Sequence, residues 1–380
     1  MRVAVVAPEF PPELGGMQTY ALEFAKELAG RGHNVTVFTR PHADGELELP
    51  GVDVRPELKL SRRSDRRLLS IYRFDVWHVM NAAYAWLALE TGGVVVSVHG
   101  NDFLRPYIPM VRVKFKRYPW LWRADASLDR LERRWNKWLT RRLVNRALPR
   151  TTAILANSRY TERVLLEQYP RCKGRTSAAM VGVAGTFLEQ PFSTQPVHDV
   201  TRMITVCRLS EARKNVDRVL LALAALKERY PFHYTVVGEG PLHAELESLS
   251  AELGLSDRVT FTGKVSDDAL KEMLSESDLF VLASSVLPHS HEGFGIVYLE
   301  AAACGTPALA ARQAGAAEAI EDGVSGYFVE EPTVDQLTRA LGRFLGGEIA
   351  FDRAGCRNFA RGFSWARVVD AALDVYPKRG

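Results

Sequence analysis

The stretch RMITVCRLSEARKNVDRVLLALAALKERYPFHYTVVGEG, residues 202–240, decides the fold class of this chain. It opens with a short apolar, strand-like run, continues with a segment of helical periodicity at 216–229, and returns to a β-branched run that ends in a glycine turn. A strand, a helix and a second strand in this order predict a parallel βαβ unit. Strand-like runs at 258–263 and 278–284, with a helix from Asp267 between them, continue the alternation. These residues therefore predict a parallel sheet with helices on both faces.

The first half of the chain carries the same alternation. Its strand-like runs lie at 2–7, 34–39, 74–79, 93–99 and 152–158. The pattern restarts near residue 202, after residues 191–201, whose Pro, Ser and Thr without periodicity are typical of a linker. A chain of 380 residues is long enough for two hydrophobic cores. We therefore predict an α/β protein with two Rossmann-like, doubly wound domains, at 1–190 and 200–362.

The composition is that of an ordinary soluble globular protein, with 47% hydrophobic and 25% charged residues. The four cysteines are Cys172, Cys207, Cys304 and Cys356. They are scattered, without a CxxC pair or histidines at metal-ligand spacing, so neither a disulfide framework nor a zinc site is predicted. Pro8 interrupts the N-terminal apolar run too early for a signal sequence or a membrane span. We expect a cytoplasmic protein.

Gly15 and Gly16 stand between the first predicted strand and the first predicted helix. A glycine pair there lets backbone N–H groups approach a ligand, and the positive end of the helix favours an anion such as phosphate. A turn that only needs a positive φ explains the pair equally well. The third glycine of a dinucleotide-binding GxGxxG motif is missing, which argues against a dinucleotide.

Two cations, Arg208 and Lys214, follow the first strand of the second half, at the sheet edge where open α/β sheets bind ligands. Spaced six apart on one loop, they are able to bind both phosphates of a diphosphate, although an isolated pair is more often simply solvated. The next two strands end at the same edge in glycine turns that contain Gly238, Gly240, Gly263 and Lys264. Together these loops predict a crevice of nucleotide size.

Residues 291–300, HEGFGIVYLE, follow the next strand at the same edge. Gly293 and Gly295 free the backbone N–H groups of residues 294–296 to face an anion or sugar hydroxyls at a helix start. Glu300, one helical turn further on, is costly to bury unless something binds it, and paired ribose hydroxyls would do so. The alternative is that Glu300 only caps a neighbouring element.

Five motifs in order resemble the retaining glycosyltransferases of family 4, which have the GT-B fold. The motifs are GGMQTY at 15–20, HGND at 99–102, RLSEARKN at 208–215, GEGP at 238–241 and EGFGIVYLE at 292–300. The resemblance implies two Rossmann-like domains that face a deep interdomain cleft, with the nucleotide-sugar donor on the C-terminal domain and the acceptor on the N-terminal one. It also implies that a final helix, at about 363–380, crosses back to the N-terminal domain.

The resemblance also implies roles for the charged residues. Arg208 and Lys214 would bind the donor diphosphate, with the backbone N–H of Gly16 assisting. The chain contains no DxD sequence, so we expect no cofactor and no divalent metal. Fixed cations and helix N-termini would then stabilise the departing nucleotide.

The same resemblance divides the two glutamates and adds one histidine. Glu292 would bind hydroxyls of the transferred sugar, together with the backbone N–H groups of Phe294, Gly295 and Ile296. Glu300 would bind the ribose, and His99 would lie beside the anomeric carbon. In such retaining enzymes the usual proposal is front-side attack by the acceptor, assisted by the leaving phosphate.

The segment 103–150 carries 14 Lys and Arg residues against three acidic ones, although the whole chain has a net charge of only +4. Aromatic residues interleave with these cations, and an apolar stripe at helical spacing contains Leu128, Leu131, Trp135, Trp138 and Leu139. Such a helix is able to lie on an anionic membrane or to face a phosphorylated acceptor. The alternative is that the stripe packs on the sheet and the cations are solvated. Nucleic acid is not expected, because no binding module is recognisable.

The sequence therefore predicts a retaining, metal-independent transferase that moves a hexose from a UDP- or GDP-sugar to a hydroxyl acceptor. We expect a lipid-linked or polysaccharide precursor as acceptor, at the inner face of the membrane. Three alternatives remain open. They are a soluble-acceptor enzyme of the same family, a sugar-nucleotide epimerase of similar fold, and a binding protein with an inactive donor site.

Overall fold

The computed structural model describes residues 1–12, 15–41, 48–106, 108–111, 125–192 and 199–378, with the backbone alone for 125–128. The chain forms two compact units. Unit 1 consists of residues 1–180 and 365–380, and unit 2 of residues 181–364.

Unit 1 contains a parallel sheet of seven strands in the order β3-β2-β1-β4-β5-β6-β7. The strands are β1 (Arg2–Val6), β2 (Asn34–Phe38), β3 (Val52–Arg55), β4 (Val76–Val79), β5 (Val94–Val98), β6 (Ala153–Ala156) and β7 (Thr176–Ala178). Every residue of β4, β5 and β6 is buried. Continuous apolar runs suit these strands because helices cover both faces of a parallel sheet.

The helices of unit 1 are α1 (Gly16–Gly30), α2 (Arg62–Leu69), α3 (Asp125–Ala147), α4 (Arg159–Gln168) and, from the end of the chain, α12 (Trp365–Val375). Short 3₁₀ helices lie at Ala82–Leu89, Leu148–Arg150 and Pro170–Cys172. The buried side chains of α1 recur at helical spacing and form one apolar face, as its sequence period predicts. Gly32, with a φ of 78°, follows the helix end.

Unit 2 contains a second parallel sheet, of six strands in the order β10-β9-β8-β11-β12-β13. The strands are β8 (Thr201–Val206), β9 (Phe232–Val237), β10 (Val259–Gly263), β11 (Leu279–Leu282), β12 (Ala308–Ala311) and β13 (Gly326–Val329). In both sheets the strand order reverses once, between β1 and β4 in unit 1 and between β8 and β11 in unit 2. This is the doubly wound Rossmann-like order, so the predicted fold class is confirmed.

The helices of unit 2 are α5 (Gly185–Glu189), α6 (Val216–Ala224), α7 (His243–Glu252), α8 (Asp267–Ser275), α9 (Ile296–Ala303), α10 (Val334–Leu345) and α11 (Arg353–Arg361). Short 3₁₀ helices lie at Ala212–Lys214 and Ala314–Glu318. The helix predicted for 216–229 ends at Ala224 and continues as hydrogen-bonded turns. Unit 2 begins earlier than the predicted domain boundary at 190–200, because α5 packs against α9 and α11.

The C-terminal helix α12 belongs to unit 1, where it packs against α1. Arg31, after the end of α1, bonds to the Asp370 carboxylate at 2.5 Å and to the Ala366 carbonyl oxygen at 2.8 Å. The hydroxyl of Tyr376, just after α12, lies 2.6 Å from Nδ1 of His78, whose Nε2 lies 2.8 Å from the Ser97 hydroxyl. The helix is thereby joined to two central strands, β4 and β5.

Removing the Tyr376 hydroxyl should destabilise the protein, because Nδ1 of His78 would lose its partner in a fully buried position. We expect Tyr376→Phe to lower the free energy of unfolding by about 1–3 kcal/mol in urea denaturation. Tyr72→Phe is the matched control, since its hydroxyl bonds to Arg55 in a half-buried position, and it should cost about 1 kcal/mol or less. Equal losses of unfolding free energy in both variants would show that the buried bond to His78 contributes no more to stability than the half-buried bond to Arg55.

Candidate functional site

Two loops meet at the reversal point of unit 2, where β8 and β11 are neighbours. The first ends at Asn215, which adopts a left-handed conformation (φ 56°) just before α6. Asn tolerates this conformation better than most residues because its short side chain bonds to nearby backbone. Its side-chain amide donates to the Ala283 carbonyl oxygen at 2.6 Å and to the Ser285 hydroxyl at 2.8 Å. Asn215 therefore ties the loop after β8 to the loop after β11.

This arrangement brings two predicted site residues, Lys214 and Glu292, into direct contact. Nζ of Lys214 donates to Oε2 of Glu292 at 2.5 Å. Nη1 of Arg213 and the hydroxyl of Ser284 also donate to this oxygen, each at 3.4 Å. The side chain of Glu292 is only 15% exposed. One carboxylate oxygen thus accepts hydrogen bonds from three donors on two loops.

The charge state of Glu292 follows from these contacts. Burial alone would raise the pKa of its carboxyl, but the positive charges of Lys214 and Arg213 and their hydrogen bonds lower the pKa to about 2. Glu292 is therefore ionised at any physiological pH. An ionised carboxylate is a pure hydrogen-bond acceptor, suited to the hydroxyls of a sugar.

Arg213 is a member of this cluster that the sequence did not single out, although it lies within the RLSEARKN motif. Its side chain is 5% exposed and is held between two carboxylates. Nε lies 2.6 Å from Oε2 of Glu211, an ion-pair contact without hydrogen-bond alignment, and donates to the Ser290 hydroxyl at 2.9 Å. The available signal was that Arg213 and Lys214 are adjacent cations in the motif, but nothing in their spacing indicated that Arg213 also contacts Glu292.

Arg208 and Lys264 have different surroundings from Lys214, because both side chains are exposed. Among the described residues neither makes an ion pair. Arg208 lies directly after Cys207, at the end of β8 and near the turn at Gly238. The structure thus places both cations at the predicted sheet edge but outside the Glu292 cluster.

Gly238 and Gly240 are required by the packing of two loops. A Cβ on Gly238 would lie 1.9 Å from the carbonyl oxygen of Cys207, and one on Gly240 would lie 2.3 Å from that of Leu209. The backbone N–H of Leu209 donates to the Glu239 carbonyl oxygen at 2.8 Å across this contact. These glycines therefore hold the loop after β9 against the loop after β8, and a ligand role for them stays a prediction. Gly263, with a φ of 67°, ends β10 beside them.

The bend before α9 contains Gly295 and the start of the helix at Ile296. Gly295 has a φ of 87°, and a Cβ there would lie 2.5 Å from the ring of Tyr298. No described side chain caps the start of the helix at Ile296, so its first N–H groups have no side-chain partner there. The ring of Phe294 is buried and contacts Phe363, with centroids 6.0 Å apart. Phe294 is therefore anchored in unit 2 by its side chain.

Glu300 is buried in the second turn of α9 with an exposed fraction of 8%. Burial, with a smaller contribution from the charge of Asp267, raises the pKa of its carboxyl to about 7. Among the described residues neither a side chain nor a backbone N–H donates a hydrogen bond to this carboxylate. The described part of the chain therefore shows no capping contact of Glu300. Its two acceptor oxygens have the chemistry to bind a pair of hydroxyls.

In unit 1, His99 follows β5 and contacts Tyr20 of α1 edge-on, with ring centroids 4.5 Å apart. Burial lowers the pKa of its imidazole to about 4, so the ring is neutral at pH 7. Its Nε2 is buried and has no hydrogen-bond partner among the described residues. This nitrogen is available to a ligand hydroxyl.

Asp102 is a second residue beside a predicted site residue to which the sequence assigned no role, although it ends the HGND motif. Its carboxylate accepts hydrogen bonds from the backbone N–H groups of His99 at 2.9 Å and Ala82 at 2.8 Å. Burial raises the pKa of this carboxyl to about 6, even though these bonds act in the opposite direction. Asp102 holds the backbone of His99 against the 3₁₀ helix that begins at Ala82.

Gly15 and Gly16 stand at the start of α1, as predicted. A Cβ on Gly15 would lie 2.6 Å from Oε1 of Gln18, so the side chain of Gln18 is folded over this turn. Gly16 is exposed, and no described side chain caps the helix. The geometry allows an anion to approach, and it also satisfies the simple turn interpretation.

The basic helix α3 exposes three residues of the predicted stripe, whereas Leu139 is half-buried. Leu131, Trp135 and Trp138 are 43%, 45% and 46% exposed, and the guanidinium of Arg142 lies 4.6 Å from the Trp138 ring centroid. The buried side of the helix consists of Thr140, Leu143, Val144 and Ala147. The alternative that the stripe packs on the sheet is therefore wrong for these three residues. Within the basic segment, Tyr107, residues 112–124 and the Leu128 side chain lie outside the described residues.

No group of three or more His, Cys, Asp and Glu side chains within the described ranges is placed to hold a metal ion. No described helix combines the length and apolar character that crossing a membrane requires.

Two family models match the chain, one in each unit. The model for Glycosyltransferase Family 4 matches residues 14–177, and the model for Glycosyl transferases group 1 matches residues 187–361. Each match lies within one of the two sheets and its helices.

Known proteins resemble the chain over nearly its whole length. A GDP-mannose-dependent alpha-(1-6)-phosphatidylinositol monomannoside mannosyltransferase of Mycolicibacterium smegmatis is 28% identical over 90% of this chain and 88% of its own. A D-inositol 3-phosphate glycosyltransferase of Salinispora tropica is 28% identical over 96% of this chain and 81% of its own. The crystal structure of a glycosyltransferase from Rickettsia africae has the same fold, with a TM-score of 0.73, 18% identity and coverage of 99% and 97%. The chain therefore belongs to the glycosyltransferases of family 4, with the GT-B fold.

Proposed function

We propose that this chain is a retaining, metal-independent hexosyltransferase that uses a UDP- or GDP-sugar. Its acceptor is a hydroxyl on a phosphorylated, lipid-linked precursor at the cytoplasmic face of the membrane. The observation that carries the proposal is the contact between Lys214 and Glu292, which joins a cation able to bind phosphate to a carboxylate able to bind sugar hydroxyls.

The donor half of the proposal rests on the chemistry of unit 2. Lys214 supplies the charge for a diphosphate, and Arg208 is exposed on the same loop. The uncapped start of α9 adds backbone N–H groups, and Glu300 offers an acceptor pair for ribose. Fixed positive charge at the leaving phosphates stabilises the transition state without a metal. We assign front-side attack by the acceptor, with the leaving phosphate accepting the proton.

The acceptor half rests on the charge of unit 1 and on the relatives. The two relatives named above act, by their names, on a phosphatidylinositol mannoside and on an inositol phosphate. Both acceptors carry phosphate, which suits the basic residues of segment 103–150. Because one relative uses a water-soluble acceptor, a soluble phosphorylated cyclitol or sugar is the second candidate. The exposed Trp135 and Trp138 favour the lipid-linked one.

Exchange of Glu292 should separate donor binding from transfer. We expect Glu292→Gln to retain UDP or GDP binding and to lower transfer by about 100-fold or more, because the sugar loses an ionised acceptor. Lys214→Met should weaken binding of the same nucleotide. A thermal-shift screen with UDP, GDP and their common sugars identifies the donor, and release of nucleotide diphosphate only with acceptor present reports transfer.

Two further measurements test the metal-independent and retaining character of the reaction. Activity should be unchanged in EDTA, and a strict requirement for Mn²⁺ would contradict the metal-independent reaction. Nuclear magnetic resonance of the product should show the anomeric configuration of the donor. Full transfer activity in both Glu292→Gln and Lys214→Met would refute the site assignment.

The raised pKa of Glu300 predicts a pH-dependent affinity. Because only the ionised carboxylate accepts both ribose hydroxyls, nucleotide affinity should be constant above about pH 8 and fall by up to about tenfold per pH unit below pH 7. Glu300→Gln should show lower affinity and no such dependence. Calorimetric titration between pH 5.5 and 8.5 measures both (about three units centred on the pKa), and identical pH profiles would contradict the role.

The same substitution should have the opposite effect on stability. Because the folded-state pKa of about 7 lies above the unfolded value of 4.5, stability is lost as the pH rises from about 4.5 to about 7. Glu300→Gln should therefore have a higher free energy of unfolding than wild type at pH 8, by on the order of 3 kcal/mol at most, and should match it near pH 4. A loss of both stability and binding at pH 8 would indicate a structural carboxylate instead.

Vesicle sedimentation tests whether helix α3 binds an anionic membrane surface. We expect salt-sensitive binding to vesicles that contain anionic lipid and little binding to neutral ones, since each surface cation contributes about 1 kcal/mol. Replacing Trp135 and Trp138 by Ser should reduce binding by about tenfold or more. Leu221→Ser, at a 38% exposed apolar position of unit 2, is the control. Equal binding by all three proteins would remove α3 from the membrane contact.

A further inference from the structure

Lys214 has two competing partners under the proposed function. In the structure its ammonium group is bonded to Glu292 at 2.5 Å, and both side chains are largely buried, at 14% and 15% exposed. A diphosphate needs the same ammonium group, because a lysine is a point charge whose binding energy goes to the nearest anion. Donor binding must therefore draw Lys214 partly away from Glu292.

Such a movement is costly unless Glu292 keeps a cation. Removing one partner of a buried ion pair leaves an uncompensated charge, which is far less favourable than the loss of an exposed pair. If Lys214 were the sole cation beside Glu292, the carboxylate would either retain Lys214 or take up a proton when Lys214 moved away. The first outcome weakens phosphate binding, and the second removes an acceptor for the sugar.

Arg213 is placed to prevent both outcomes. Nη1 of Arg213 lies 3.4 Å from Oε2 of Glu292, the oxygen that Lys214 contacts. The guanidinium is fixed from its other side by Glu211 and Ser290, and its own side chain is only 5% exposed. The backbone is fixed as well, since the Arg213 carbonyl oxygen accepts from the N–H of Ser285 at 2.7 Å. Arg213 cannot follow Lys214 toward a ligand.

We infer that Arg213 is a positioning residue that keeps Glu292 paired, so that Lys214 is free to turn to the donor diphosphate. Lys214 is the mobile cation of the cluster and Arg213 the stationary one. The inference rests on the proposed donor site of unit 2 and adds a division of labour between two adjacent cations. It also makes Glu292 a competitor of the diphosphate until the sugar occupies its carboxylate.

A double-mutant cycle on nucleotide binding tests this division. The probe is UDP or GDP, whichever binds the wild-type protein, measured by calorimetry. Arg213→Met should weaken its binding by about tenfold to a hundredfold, because Lys214 is then retained by Glu292. In the Glu292→Gln background the same substitution should change the affinity by less than about threefold, since the neutral amide at position 292 does not hold Lys214 away from the nucleotide.

Glu292→Gln alone gives a second, independent reading. It removes the competitor, so the free nucleotide diphosphate should bind about threefold to tenfold more tightly than to wild type, even though transfer is lost. Arg213→Lys retains a cation and should restore most of the affinity. Arg218→Met is the matched control. Arg218 lies on α6 of the same unit, and its half-buried guanidinium donates to the Pro332 carbonyl oxygen.

The outcomes separate the two proposals. If neither UDP nor GDP binds the wild-type protein, the proposed function fails and the inference fails with it. If the nucleotide binds and Arg213→Met costs the same in both backgrounds, Arg213 is only structural and the inference alone is overturned. Weaker binding by Glu292→Gln would overturn it in the same way, and this reading stands even if Arg213→Met does not fold.

Discussion

The buried carboxylate of Glu292 is the constraint on which the candidate site of unit 2 depends. An ionised group with 15% exposure needs cations, and Lys214 and Arg213 supply them from the loop after β8. That loop in turn must lie beside the loop after β11, and Asn215 fixes it there by two hydrogen bonds in a left-handed conformation. Parallel strand order makes this possible, because the carboxyl ends of β8 and β11 are neighbours at the reversal point of the sheet.

Unit 1 positions its candidate residue, His99, without a cluster of ion pairs. Its central strands carry a buried polar chain, in which His78 joins Tyr376 to Ser97, two residues before His99. Burial keeps both imidazoles neutral by lowering their pKa values, to about 3 for His78 and about 4 for His99. Asp102 holds the backbone of His99 from the other side. A neutral imidazole with an available Nε2 suits hydroxyl recognition, whereas the ionised cluster of unit 2 suits phosphate and sugar together.

Much of the fold could be predicted, because periodicity reports which faces are buried. The apolar face of α1 and the apolar strand runs of both sheets are local sequence patterns, because apolar residues are stabilised at the positions that are buried. The site was predictable in part. Lys214 was predicted from its place on the loop after a strand, whereas Glu292 and Glu300 were noticed as carboxylates in a glycine-rich bend and an apolar run. Arg213 and Asp102 were missed, because a second cation beside Lys214 and an aspartate after a turn look like ordinary surface residues.

By itself, the sequence determined the α/β class, two Rossmann-like units, the loops of the candidate site and the membership of a glycosyltransferase family. These follow from local periodicity and from motifs of fixed spacing. Only the tertiary structure decided that Lys214 pairs with Glu292 while Arg208 stays exposed, and that Trp135 and Trp138 face outward. The physical reason is that pairing and exposure depend on contacts between residues far apart in the chain. Lys214 and Glu292 are 78 positions apart, a separation at which no local pattern carries information.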